Sequence, residues 1–184
     1  MSPKPSTPRA IKREEITKPA LEEFRRRLAE AAPGIVNFSE GNHYGKKTNR
    51  LQLPKTFCAA FHGLSQEGRV TLGFDGQILL VPTEAWKDYL AETRVSFAKM
   101  GCEQFVEELV RNSEPVRIDA KGRITFSQRA VEKATFKNEV LLCPGRTIEF
   151  WNPMVHREYR EQVILTVNTK AGFPTNPQQG PLQT

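Results

Sequence analysis

Ile118-Asp119-Ala120-Lys121-Gly122-Arg123-Ile124-Thr125-Phe126 reads as two short strands around a polar Asp-x-x-Gly insert. Apolar residues flank the insert, and the turn leaves Lys121 and Arg123 exposed. A fainter copy, Lys46-Lys47-Thr48-Asn49-Arg50-Leu51-Gln52-Leu53-Pro54, lies about seventy residues earlier. At a shift of seventy-three residues Arg50 falls on Arg123 and Leu53 on Phe126. Two copies of a basic loop on a duplicated chain predict a surface that grips a repeating anion, with DNA as the first candidate.

The duplication extends beyond the loops. At a shift of seventy, Val70 meets Val140, Leu72 meets Leu142, Ile78 meets Ile148 and Leu80 meets Phe150. In the segments that follow, Lys87 meets Arg157 and Asp88-Tyr89 meets Glu158-Tyr159. Each half therefore reads as strand, basic loop, strand, short helix, hairpin, helix. Neither half holds enough apolar surface to close a core alone. The expected fold is α+β: two tandem ββ-α-ββ-α repeats that exchange strands into one small closed β-barrel without exposed edges, with flanking helices.

Residues 1–16, rich in Pro, Ser, Lys and Arg, predict a disordered basic tail. Residues 17–33 predict an amphipathic helical extension capped by Thr17 and stopped by Pro33-Gly34. Its apolar face is Leu21, Phe24, Leu28 and Ala31; its other face carries Arg25, Arg26 and Arg27, either a solvated face or a second contact to DNA or a partner. Residues 34–112 form the first repeat with its linker helices, and 113–165 the second. Strands are expected at 35–38, 50–53, 69–72, 77–81, 116–118, 123–126, 139–143 and 146–151, with Asp75-Gly76 and Pro144-Gly145 in hairpin turns. Short helices are expected at 55–61 and from Ser127 to Ala134, longer ones after Thr83, over 103–111, and from Pro153 to about Gln162. The uncharged stretch after Lys170 completes a segment, 166–184, that reads as a second disordered tail.

The net charge of +6 is unevenly spread. Most of it lies in the two extensions, so a nucleic-acid site has to be a local patch. Lys55, Arg117, Arg129 and Lys133 are candidates to extend that patch, each also readable as a solvated charge. No apolar run reaches the ~20 residues of a membrane span, and the N-terminus lacks the apolar core of a signal peptide. The reading is a protein of the cytoplasm, associated with the nucleoid. Cys58, Cys102 and Cys143 are too widely spaced for a zinc site or a disulfide framework. His43, His62 and His156 show no metal-ligand spacing, and the glycines form no phosphate-binding loop. No enzyme activity, cofactor, metal or small-molecule substrate is expected.

This arrangement resembles the MraZ family of bacterial transcriptional regulators, built from tandem swapped-hairpin domains of the AbrB-like type. The resemblance covers roughly residues 35–163. Asp119-Ala120-Lys121-Gly122-Arg123 is similar to the family's D-x-K-G-R signature, and Pro82–Trp86 to its P-x-x-x-W junction. Glu149-Phe150-Trp151 is similar to the strand end and Trp before its last helix, and Phe38-Ser39-Glu40-Gly41 to its opening. The resemblance implies double-stranded DNA at promoter repeats as partner, ring-shaped homo-oligomers, and control of the division and cell-wall gene cluster, including the chain's own promoter. The family's D-x-x-x-R contact motif maps onto Asp119 and Arg123. In the first half only Arg50 matches, with Lys46 in place of the Asp and Asn49 in place of the Gly.

The expected DNA-binding residues are Lys46, Lys47, Arg50, Asp119, Lys121, Gly122 and Arg123. Gly122 is expected at a positive φ, and Asn49 tolerates the same geometry. Asp119 either holds the turn through backbone N–H groups or pins Arg123. Arg123 would reach phosphate or read guanine, and Lys121 would contact phosphate. The competing reading of Asp119 and Arg123 is an ion pair that stabilises the turn and binds nothing. Two other functions fit: a protein-interaction ring that has lost DNA binding, and an AbrB-like antitoxin module.

Overall fold

A computed structural model describes residues 19–31, 34–39, 44–61 and 64–171 of the chain. The elements in order are α1 (Pro19–Ala31), β1 (Val36–Ser39), β2 (Tyr44–Gly45), β3 (Arg50–Gln52), α2 (Lys55–Ala59), β4 (Glu67–Leu72), β5 (Ile78–Pro82), α3 (Trp86–Ala98), α4 (Gln104–Arg111), β6 (Glu114–Arg117), β7 (Arg123–Thr125), α5 (Gln128–Lys133), β8 (Glu139–Pro144), β9 (Ile148–Trp151) and α6 (Pro153–Ala171). The protein is α+β with antiparallel sheets.

The expected order of elements is present, including the Ser127 cap, whose hydroxyl accepts from the Ala130 N–H at 3.1 Å. Thr83 does not cap a helix as expected. It begins a 3₁₀ turn, and α3 starts after it at Trp86. The last helix passes Gln162 and continues to Ala171, so 166–171 is helical rather than part of a tail. Residues 1–18 and 172–184, with Pro33 and Glu40-Gly41, lie outside the described residues.

The halves interleave about a pseudo-two-fold axis. In the small sheet, ordered β2-β3-β7, Leu51 pairs with Ile124, flanked by Arg50 opposite Thr125 and Gln52 opposite Arg123. Advancing one strand by seventy-three residues turns the second of these flanking pairs into the first. The large sheet, ordered β1-β8-β9-β5-β4-β6, repeats the relation at its centre, where Leu79 faces Glu149 between the pairs Ile78–Phe150 and Leu80–Ile148. At its edges each half lends its first strand to the other. β1 pairs with β8 (Val36 opposite Leu142), and β6 pairs with β4 (Glu114 opposite Val70).

Two details correct the expected repeat. β4 and β8 show the same order of buried and exposed residues when Glu67 is set on Glu139, a shift of seventy-two and not seventy. Val70 thus corresponds to Leu142, and Thr71 to Cys143. The second hairpin turn is two residues shorter: Gly73 N donates to Gln77 O in the first, Gly145 N to Thr147 O in the second. The described strands also form two open sheets, not a closed barrel. β3 and β7 have three residues each; β3 pairs with β2 on one side and with β7 on the other. Pro115, without an N–H, suits β6 to a sheet edge.

One apolar core fills the space between the sheets. It takes Leu51 and Ile124 from the small sheet and Val70, Leu80, Val140, Leu142 and Phe150 from the large one, all at most 1% exposed. α1 closes one side, with Phe24 edge-on to Phe61 at 5.5 Å. β5 is buried along its whole length because α1 and α3 cover its outer face, where Leu21, Val81, Ala85 and Trp86 form a second cluster. Trp86 and Trp151 are both buried.

Candidate nucleic-acid interface

Alternation along β3 and β7 sorts the site residues. Leu51 and Ile124 point into the core at 0% exposure. Arg50, Gln52 and Thr125 lie exposed, with Arg123 half-buried beside them. The result is a two-stranded ribbon with two arginines on its outer face. Arg123 is the diagonal neighbour of Arg50, a placement that sets two residues about 7–8 Å apart. The two basic loops sit at opposite ends of this ribbon.

The second loop is braced from within. Oδ1 of Asp119 accepts from the N–H of Lys121 at 2.8 Å and of Arg123 at 3.0 Å. Its Oδ2 takes the Arg123 guanidinium, with Nε and Nη2 each at 2.6 Å. The backbone N–H of Arg123, helped by its guanidinium, holds the Asp119 carboxyl below the usual carboxylate range. Asp119 therefore performs both expected roles at once. Gly122 takes φ +74°, as its place in the turn predicts, and an added Cβ would meet Cys58 Sγ at 2.9 Å. Gln52 Nε2 supports the loop from outside, donating to Lys121 O at 2.8 Å.

The first loop keeps the backbone without the aspartate. Lys46–Thr48 makes a 3₁₀ turn and Asn49 takes φ 50°. Thr48 Oγ1 donates to Gly45 O at 3.1 Å within the loop, and two further braces come from the other half: Lys46 Nζ donates to Asn138 Oδ1 at 3.0 Å, and Asn49 Nδ2 to Gln128 Oε1 at 2.9 Å. Reciprocal backbone bonds tie the ends together, from Leu53 N to Gly122 O and from Phe126 N to Asn49 O. These two bonds are equivalent under the pseudo-dyad.

The structure brings all seven expected residues to this ribbon and its loops. Lys47, Arg50 and Lys121 are exposed and have no acidic partner among the described residues; Lys46 bonds only a neutral amide. Gln52, Thr125, Gln128 and Asn138 belong to the site and were not singled out from sequence. The alternation that selects Arg50 and Arg123 also selects Gln52 and Thr125; nothing local marks the other two. Arg129 and Lys133 converge instead on Asn112 Oδ1, at 3.4 and 2.5 Å, just past α4. The arginine face of α1 is spent on ion pairs: Arg26 and Arg27 with Glu23, Arg25 with Glu92. Arg26 first, then Arg27, pulls the Glu23 carboxyl down to about 2.

Among the described residues, other reactive side chains do not gather into a second centre. Cys143 Sγ lies 3.7 Å from His156 Nε2, but burial and the Glu149 charge push the thiol up to about 12. Burial also lowers the imidazole, so this pair holds no activated thiolate. Among the described residues no three His, Cys, Asp or Glu side chains are grouped to hold a metal ion. No helix among them is long and apolar enough to cross a membrane. No protein-family model matches the sequence, and no curated protein matches it.

Proposed function

We propose that the protein is a DNA-binding transcriptional regulator of the MraZ-like, swapped-hairpin kind. The β3–β7 ribbon enters the major groove, which admits a two-stranded ribbon. Arg50 and Arg123 are diagonal across it and span about two base-pair steps. They face base edges, with Gln52 and Thr125 beside them, while Lys46, Lys47 and Lys121 reach phosphates on either side. The observation that carries this reading is the pseudo-symmetric ribbon with unneutralised cations in the loops at both ends. One ribbon offers few contacts, so a homo-oligomer, ring-shaped and bound to promoter repeats, supplies the rest by multivalency. The place of action is the nucleoid.

The Asp119–Arg123 ion pair favours a second reading, because it satisfies Arg123 inside the chain. In that reading the protein is an interaction ring and the loop is structural. A salt titration against the protein's own upstream DNA, with a scrambled duplex beside it, separates the two. A DNA regulator prefers the upstream duplex, weakens steeply with salt, and loses the preference in Arg123→Ala while the oligomer persists. Absence of any preference at low and moderate salt would sink control of its own promoter and leave the interaction ring, or a target elsewhere in the genome.

A further inference from the structure

A cleft of about 240 Å³ opens on the outer face of the large sheet, away from the ribbon. Tyr89, Thr93 and Phe97 recur every fourth residue along α3 and form one wall. Leu79 and Glu149, the cross-strand pair on the pseudo-dyad, lie opposite. Phe74 packs edge-on to Phe97 with ring centroids 4.8 Å apart, which makes one part of the lining aromatic.

The charges in this cleft are only partly answered. Arg25 is satisfied by Glu92 at 2.8 Å and by Arg146 O at 3.1 Å. Among the described residues Glu149 has a neutral partner alone, accepting from Trp151 Nε1 at 2.9 Å. The Arg146 guanidinium has no ion pair among the described residues. Glu149 and Arg146 line the same cleft without pairing with each other. Burial, reinforced by the nearby Asp75 charge, holds the Glu149 carboxyl above its usual range. A cation placed beside it would favour the charged form.

We propose that this cleft binds a free α-amino acid with an apolar side chain, its ammonium on Glu149, its carboxylate on Arg146 and its side chain against Phe74 and Phe97. A lone amine would leave Arg146 unpaired and be repelled by it, and a lone carboxylate would meet the reverse problem at Glu149. The volume lies below the about 300–1,000 Å³ of sites for drug-sized ligands, which suits a molecule of leucine or phenylalanine size. The site is independent of the ribbon and of the DNA reading.

Calorimetry on the full chain tests it with L-leucine, L-phenylalanine, and the analogues of each that lack the carboxylate or the ammonium. At least one amino acid binds, and its single-charge analogues bind about tenfold more weakly or worse. Glu149→Gln, which keeps an acceptor for Trp151, and Arg146→Ala each weaken binding by about tenfold and leave DNA affinity unchanged. Should a variant fail to fold, the analogues on the unaltered chain still decide. Lack of binding by both amino acids, analogues that bind as well as their parents, or folded variants that bind as the unaltered chain does would each overturn the proposal.

Discussion

In the loop Lys46–Arg50 the left-handed residue is Asn49 at φ 50°; in Asp119–Arg123 it is Gly122 at φ 74°. Each carbonyl accepts the N–H of the equivalent residue in the opposite half, Phe126 for Asn49 and Leu53 for Gly122. The backbones match because the ribbon between them fixes both ends. The side chains do not match. Asp119 closes its own loop, whereas Lys46 and Asn49 reach across to Asn138 and Gln128. A duplicated loop can thus lose the residue that holds it from inside once the partner half holds it from outside. What it gains in exchange is net positive charge.

The largest test of that comparison addresses the shared scaffold. Leu80 and Phe150 are equivalent under the pseudo-dyad and both are 0% exposed. Phe150 also meets Phe126 edge-on at 5.0 Å. Phe150→Ala is expected to cost about 3–5 kcal/mol and Leu80→Ala about 2–5 kcal/mol. Both losses are expected within one cooperative urea transition, because each side chain packs against strands of both halves. Two separable transitions, with each substitution moving only one, would break the interleaved picture.

A smaller effect separates the two left-handed residues. Gly122→Ala forces a side chain into positive φ and toward Cys58 Sγ, at an expected cost of about 1–3 kcal/mol. Asn49→Gly removes one exposed hydrogen bond and relieves backbone strain, so it changes stability by less than about 1 kcal/mol. Adding Cys58→Ala to Gly122→Ala recovers the part due to the thiol contact and none of the part due to φ. Equal costs for Gly122→Ala and Asn49→Gly in urea denaturation would show that the loops are held alike.

Much of this was legible in the chain. Gly122 and Asn49 announce left-handed positions, Asp119 a turn closed by its own carboxylate, and Ser127 a helix start. The unreadable parts have physical reasons. A slip of two residues keeps every side chain on its face, so period-2 alternation could not tell a shift of seventy from seventy-two in β8. Tyr44–Gly45 is too short to show any period. The β-branched run Val163-Ile164 to Val167 has weak helix propensity, which hid the last turns of α6. Asn138 and Gln128 brace a loop that lies 92 and 79 residues away in sequence, and no local pattern signals such a partner.

The finest distinction between the loops is their response to acid. Asp119 has a carboxyl lowered by bonds that exist only in the folded turn. Its contribution is therefore fully present above the unfolded carboxylate value of about 3.9 and is lost as pH falls through the lower folded value. Asp119→Asn removes the titration. The stability gap between the unaltered chain and this variant is expected to be widest near neutrality and to shrink below about pH 4. Lys46→Ala supplies the contrast. It deletes one exposed hydrogen bond to a neutral amide, so its effect stays within about 0.5 kcal/mol and does not share that pH dependence. Urea midpoints measured for the three proteins from pH 3 to 7 resolve the two profiles. A pH-independent gap for Asp119→Asn would mean that the carboxylate does not hold its loop, and that the ribbon alone shapes both.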